Sequence, residues 1–332
     1  MGKMIAGAGM VAIVVASMAV AQQGERLPAQ CRQEIMALCQ SSMGGGMRAC
    51  VRSVLPKLSD PCRKAISDRA AARDPLPPGM AELSYGRDPL QRLDLIAPAG
   101  NARPPLVLFI HGGGWSIGDK RGAEAAKAEH FVGKGFAFGS VNYRLVPAAS
   151  VETQAADIAS AIAFLRSYAV GSNYDGERIV LMGHSAGAHL AALVGTDPRY
   201  LAAANVPMSA IKGIVLLDGA GYDIARQMAE PNNLVAGMYE AAFGRDVARQ
   251  RALSPTLHAA APNAANWLIL PVATRADSTA QSRALAAALV NAGARATVTP
   301  VPATSHRKLN QSLGSNADFA TGEVDRFLAG LR

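Results

Sequence analysis

Little of this 332-residue chain is aromatic: Phe, Trp and Tyr make up 5% of it, and only 17% is charged. A ring-rich core is excluded, and so is a chain held open by its own charge. No long Lys/Arg run and no aromatic RNA-type motif accompanies the net charge of +8, so nucleic acid is not implied as a partner. There is no internal repeat and no Cys-x-x-Cys pair, and beyond residue 62 there is no cysteine. After residue 20 no stretch is long and apolar enough to cross a bilayer. What is present is a chain half hydrophobic by residue type, long enough for one large α/β domain with a small appendage.

Lys3 precedes an apolar run from Met4 to Val20 that ends in Ala19-Val20-Ala21. A charged start, an apolar middle and a small-x-small end describe a secretory signal, here cleaved after Ala21. The alternative is an uncleaved anchor, but the run is just under the ~20 residues that a span needs. The expected location is therefore exported, either periplasmic or secreted.

All four cysteines, Cys31, Cys39, Cys50 and Cys62, fall within residues 22–73 with no histidine nearby, which argues against zinc. An even count after a signal segment reads as two disulfides. The stretch has the pattern of short helices: Pro28 to Ser42, a Gly44-Gly45-Gly46 turn, Met47 to about Leu55, and a third helix capped by Ser59 or Asp60 with Pro61 in its first turn. Antiparallel helices favour Cys39–Cys50 nested inside Cys31–Cys62, and the other two connectivities stay open. By its cysteine spacing the stretch resembles the small cysteine-rich helical repeats first named in Golgi glycoproteins. It carries nine basic against four acidic residues. It reads foremost as a stapled mini-domain, with weak contact to an anionic envelope surface as the functional alternative. Residues 74–81, holding Pro75, Pro77, Pro78 and Gly79, read as a linker.

From residue 82 onward strand and helix patterns alternate. Leu83–Tyr85 and Leu93–Ala97 flank the turn-like Arg87-Asp88-Pro89 as a hairpin. Leu106–His111, Ala137–Tyr143, Arg178–Met182, Gly213–Leu217, Trp267–Ala273 and Ala296–Val301 are short Val/Ile/Leu runs of the kind buried on both faces of a parallel sheet. Helical patterns lie between them at Gly122–Lys134, Gln154–Ala169, Ala186–Gly195, roughly Ile224–Ala242, Thr279–Ala292 and Ala317–Leu331. Eight strands, a hairpin first and crossovers afterwards, make a doubly wound, mostly parallel α/β sheet.

Two motifs carry chemistry. Gly183-His184-Ser185-Ala186-Gly187 joins a strand to a helix, the setting of a G-x-S-x-G nucleophile elbow. A turn that tight strains the serine backbone, demands small neighbours and aims a helix N-terminus at the reaction centre. His111-Gly112-Gly113-Gly114-Trp115 follows the strand ending at Ile110. Glycines let such a loop turn its N–H groups toward a tetrahedral oxyanion and let substrate approach the backbone. A phosphate loop would instead need a following Lys-Ser/Thr, which is absent.

With these motifs, and with Gly118-Asp119-Lys120 and Asn142-Tyr143-Arg144-Leu145 at their spacing, residues 82–332 resemble the α/β-hydrolase superfamily. More narrowly they resemble its HGGGW carboxylesterases, near the hormone-sensitive-lipase, feruloyl-esterase and arylformamidase-like enzymes. The resemblance implies an α/β-hydrolase fold and hydrolysis of small-molecule carboxylic esters by a Ser–Asp–His triad, with no cofactor and no metal. It orders the triad Ser, then acid, then His.

Ser185 is then the nucleophile, and His306, in a polar loop between the last strand and last helix, is the base. His258 precedes the penultimate strand, where that order does not place a base. Asp277, after the strand Trp267–Thr274, takes the usual acid position and is preferred. Asp218, ending the preceding strand, is the runner-up. Arg275 would keep Asp277 ionised. The oxyanion donors are the amides of Gly112, Gly113 and Ala186, with Gly114 replacing Gly112 if the loop is rotated. His111, His184 and His189 read as structural, Tyr143 and Arg144 as buttresses, with Asp157 as partner for Arg144. Trp115 either walls the substrate pocket or packs beneath the loop.

No large cap is inserted, and only Gly219–Ala265 is long enough for a small lid. Its Met228, Leu234, Met238, Tyr239 and Phe243 line a pocket or, in the favoured reading, belong to the core. A small lid and few rings favour short-chain or small aryl esters over triglycerides. The alternatives are a formamide hydrolase using the same triad, and a non-catalytic envelope-binding protein on a hydrolase fold.

Overall fold

The computed structural model describes residues 27–39, 50–51, 54–63, 65–66, 76–100, 102–122, 125–229, 236–260 and 262–331. The expected signal segment, the Gly44–Gly46 turn and the first residues of the expected linker lie outside them. The chain divides into two compact units, residues 1–75 and 76–332.

In the first unit, helix α1 (Ala29–Leu38) turns Cys31 and Ile35, one helical turn apart, into a small core that also holds Cys39, Val54, Leu58 and Cys62. The disulfides join Cys31 to Cys62 and Cys39 to Cys50, the nested pairing expected of antiparallel helices. So small an apolar cluster cannot offset the chain entropy of folding by itself, and crosslinks that restrict the unfolded chain supply what it lacks. Glu34 of α1 accepts hydrogen bonds from both the amide and the hydroxyl of Ser59, across 2.9 and 2.8 Å.

The second unit is built on eight strands: β1 (Ala81–Ser84), β2 (Arg92–Ile96), β3 (Pro105–Ile110), β4 (Ala137–Val141), β5 (Asp175–His184), β6 (Ile211–Leu217), β7 (Asn266–Leu270) and β8 (Arg295–Val298). They lie in the order β1-β2-β4-β3-β5-β6-β7-β8. β1 pairs antiparallel with β2, and β2 with β4; all later pairings are parallel. Strand alternation divides the core in two. Leu106, Leu108 and Ile110 of β3 face one layer, and Val107 and Phe109 face the other. The first layer is covered by α3 (Val151–Tyr168), α4 (Ala186–Thr196) and α9 (Ala276–Asn291), through side chains such as Ile158, Leu190 and Leu285. The second is covered by α2 (Ala125–Gly133) and α11 (Phe319–Ala329), through Phe131 and Val324. This is the doubly wound α/β architecture read from the sequence.

Some boundaries differ. The helical pattern near 224–242 is two helices, α6 (Ile224–Ala229) and α7 (Ala236–Phe243), and Leu234 lies outside the described residues. Short helices α5 (Pro198–Ala203), α8 (Val247–Ala252) and α10 (His306–Ser312) occur where no periodicity announces them. Pieces of six or seven residues are too short to show a repeating apolar face. No helix of the described residues is long and apolar enough to cross a membrane.

Candidate active site

Ser185 stands between the end of β5 and the first turn of α4, with φ 57° and ψ −121°. A non-glycine residue at positive φ costs on the order of 1–3 kcal/mol and persists only where its surroundings over-determine it. The surroundings are small by necessity. A Cβ on Gly187 would collide with the carbonyl oxygens of Ile110 and His111, so β3 and the first turn of α4 can approach only through glycine. The register of β5 on β6 pairs His184 with Leu217, which sets the next residues, Ser185 and Asp218, side by side at the carboxyl edge of the sheet. The Ser185 amide donates to the Leu217 carbonyl across 3.0 Å.

The glycine loop lies against this elbow. A Cβ on Gly112 would stand 2.9 Å from the Cβ of Ser185 and 2.8 Å from the His184 carbonyl oxygen. Among the described residues, the amides of Gly112, Gly113 and Gly114 have no hydrogen-bond acceptor. The Ala186 amide belongs to the first turn of α4, where a helix has no acceptor of its own. Several N–H groups next to Ser185 in the fold are therefore not used by its hydrogen bonding among the described residues.

The loop is braced from below. Tyr143 donates its hydroxyl to the His111 carbonyl across 2.8 Å and stacks on the His111 ring, centroids 4.4 Å apart. Asn142 accepts from the Lys120 amide at 2.6 Å and donates to Asp119 at 3.1 Å. The Lys120 ammonium is buried between Asp94, at 2.6 Å, and Glu82, at 2.7 Å. These contacts give the two flanking motifs their physical meaning: they fasten the glycine loop to the β1–β2–β4 edge. Arg144 and Asp157 form the anticipated ion pair, two-pronged at 2.6 and 2.9 Å.

Trp115 requires a correction as a pocket residue. It is 2% exposed and lies beneath the loop, edge-on to His189, Tyr239 and Phe243. Its indole N–H donates to His189 Nδ1 at 3.3 Å, and its carbonyl accepts from the Gln154 side chain at 2.7 Å. Tyr239 and Phe243 are core with it. Met238 is not: it is exposed, and a Cβ on Gly114 would collide with its sulfur. The thioether thus roofs the glycine loop, a relationship that no sequence pattern signals.

The carboxylate that meets His306 is the runner-up, Asp218, and not Asp277. His306 opens α10, and its Nδ1 lies 2.7 Å from Asp218 Oδ2, whereas Asp277 is engaged by Arg275 at 3.1 Å. Asp218 is fully buried, at the end of β6 with φ 43°. Its Oδ1 accepts from the Val272 amide and the Ser278 hydroxyl, each at 2.9 Å, and its Oδ2 from Arg275 at 2.7 Å. Burial alone would raise the Asp218 carboxyl. The His306 hydrogen bond, the Arg275 charge and the Val272 amide outweigh it and hold the group well below the usual carboxylate range. Asp277, in the first turn of α9, is a third exposed and serves Arg275.

His184 donates its Nε2–H to the His306 carbonyl across 2.9 Å, with the two rings 4.5 Å apart. Burial, reinforced by the neighbouring His306, pushes its imidazole down to about 3. His189, fully buried and donating to the Leu253 carbonyl, is pushed down by burial to about 4. Both are neutral scaffolding. His258 caps the Ala252 carbonyl away from these groups. On the far side of α10, the buried Lys127 donates to the Asn310 carbonyl and lies over the Phe109 ring at 4.8 Å. Among the described residues, no cluster of His, Cys, Asp and Glu could hold a metal ion.

A family model described as BD-FAE matches residues 93–212, which include the glycine loop and the elbow. The probable isoprenylcysteine alpha-carbonyl methylesterase of Arabidopsis thaliana is 36% identical over 109 residues, 32% of this chain and 23% of that protein. A kynurenine formamidase of Meyerozyma guilliermondii is 35% identical over 154 residues, 45% of this chain and 55% of that protein. The chain thus spans between about a quarter and about half of these relatives. Esterase 2 of Thermogutta terrifontis, phosphonylated by sarin, superposes with a TM-score of 0.64 at 23% identity, covering 77% of this chain and 96% of that one. The fold is that of the α/β-hydrolases, and the likeness to the esterases among them, expected from the motifs, is supported.

Proposed function

We propose that this chain, an α/β-hydrolase by fold, is a serine carboxylesterase acting on short-chain or small aryl esters through an acyl-enzyme. The observation that carries the reading is the 2.7 Å contact between His306 Nδ1 and Asp218, formed at the sheet edge where the register sets Asp218 beside the strained Ser185.

In this reading His306 donates its Nδ1–H to Asp218, which leaves Nε2 as the proton acceptor. Nε2 takes the Ser185 hydroxyl proton as Oγ attacks the ester carbonyl. The oxyanion is held by the amides of Gly112, Gly113 and Ala186, which need no reorganisation because the fold has fixed them. Collapse expels the alcohol, protonated by His306. Water then repeats the sequence on the acyl-enzyme. Asp218 stays ionised throughout and stabilises the imidazolium. Met238, over the glycine loop, narrows the space for long chains and supports the short-ester preference. The cysteine-rich unit, with its two disulfides, supports an exported protein and is consistent with contact at an anionic envelope surface.

Hydrolysis of p-nitrophenyl esters from acetate to palmitate tests the reading. Activity greatest on the short esters, together with labelling of Ser185 by a fluorophosphonate probe, is expected. Absence of both overturns it, and a maximum at long chains overturns the substrate class. The kynurenine formamidase relative favours a second reading, formamide hydrolysis by the same residues. N-formylkynurenine turned over faster than phenyl acetate would select it.

A further inference from the structure

The Arg275 guanidinium reaches every ionisable group of the acid side of the site. Its Nη1 is 2.7 Å from Asp218 Oδ2 and 3.0 Å from His306 Nδ1, and its Nη2 is 3.1 Å from Asp277 Oδ2. The approach of Nη1 to Nδ1 has one explanation. Nη1 and Nδ1 both donate to the same carboxylate oxygen, and their mutual approach follows from sharing it. The other oxygen, Oδ1, is held by Val272 and Ser278, so the carboxylate cannot rotate away. The Arg275 amide in turn donates to the Val272 carbonyl at 2.9 Å, where β7 gives way to α9. The fork is therefore presented by a turn of the chain, and its side chain is only a third exposed.

We infer that Arg275 is a positioning residue that commits His306 to Asp218 and keeps Asp277 out of the relay. This rests on the esterase reading of the same site and adds a residue that works through two others. Two carboxylates lie within reach of one guanidinium, and a hydrogen bond to either would orient an imidazole. The fork resolves the competition by neutralising Asp277 with one nitrogen and pinning Asp218 with the other. It also sets a fixed cation beside Nδ1. The charged and titratable groups facing His306 are Asp218 at the end of β6, Arg275 and Asp277 at the start of α9, and His184 at the end of β5. Lys127, from α2, donates to the Asn310 carbonyl of α10, and its charge is felt at His184.

The test is steady-state hydrolysis of p-nitrophenyl acetate by the full chain from about pH 5 to 9, for wild type, R275Q, R275K and D277N. R275Q is expected to lower kcat at least about 10-fold with KM little changed, because the loss is one of geometry and not of binding. R275K, which keeps the charge without the fork, should recover only part of kcat, again with KM little changed. D277N should change kcat less than about 3-fold. Wild-type kcat in R275Q would overturn the inference, as would wild-type kcat in R275K if R275Q does not fold. So would a loss above about 100-fold in D277N, which would give His306 to Asp277. A wild type that hydrolyses no ester and takes no fluorophosphonate is a different failure: that of the esterase reading, and the inference falls with it.

Discussion

His184 and His306 are joined backbone to ring, the Nε2–H of the first donated to the carbonyl oxygen of the second across 2.9 Å. The residue just before the nucleophile thereby sets the position of the residue proposed as its base. Because burial keeps His184 neutral, it can hold that carbonyl without competing for a proton. Replacing it with alanine frees the start of α10. The expected result is a fall of about 10- to 100-fold in kcat with KM nearly unchanged, read by steady-state kinetics.

Ser185→Ala should abolish turnover while the protein stays folded. Ser185→Gly should be equally inactive but more stable, by about 1 kcal/mol, because glycine accepts φ 57° without strain. Chemical denaturation of the two variants side by side checks the sign. Equal stability would mean that the elbow stores no strain.

Asp218→Asn should lower kcat by about 10³- to 10⁴-fold, through loss of the tautomer and of the charge that supports the imidazolium. Thermal melting should confirm a folded protein, since the amide oxygen can still accept from the Val272 amide and the Ser278 hydroxyl at the Oδ1 position. Retention of more than a tenth of the activity would remove Asp218 from the site.

This pair of carboxylates also marks where the sequence stops being legible. The strands were readable because parallel strands buried on both faces are unbroken Val/Ile/Leu runs, and all eight were found in place. Ser185 and the glycine loop were readable because close backbone approach leaves only glycine at Gly187 and Gly112. The choice of acid was not. Asp277 follows the expected strand, yet Asp218 is the residue that the β5–β6 register sets beside Ser185, and register is a property of paired strands. Arg275 looked like a neighbour of Asp277 alone. Its second contact, with a residue 57 positions away, is tertiary. Trp115 was ambiguous for a similar reason, since its burial depends on Tyr239 and Phe243 arriving from α7.

Two of the buried histidines, His184 and His189, predict a pH dependence of stability. Their folded values, about 3 for His184 and about 4 for His189, lie below the value of about 6.5 that an unfolded chain restores. Between these limits the unfolded state binds more protons. Stability is therefore full above about pH 6.5 and falls as the pH drops toward 4, by up to about 1.4 kcal/mol per pH unit for each ring. His189→Gln should remove one proton from that slope, as measured by urea unfolding at several pH values. An unchanged slope would mean that His189 is not buried neutral.

The confinement of every cysteine to the first 62 residues separates two chemistries along one chain. The unit from residue 76 onward contains no sulfur that can be reduced, exchanged or alkylated at a thiol, and its core closes without a crosslink. A change of redox environment therefore acts on the helical unit alone. The second unit therefore keeps the same covalent chain in a reducing or an oxidising medium.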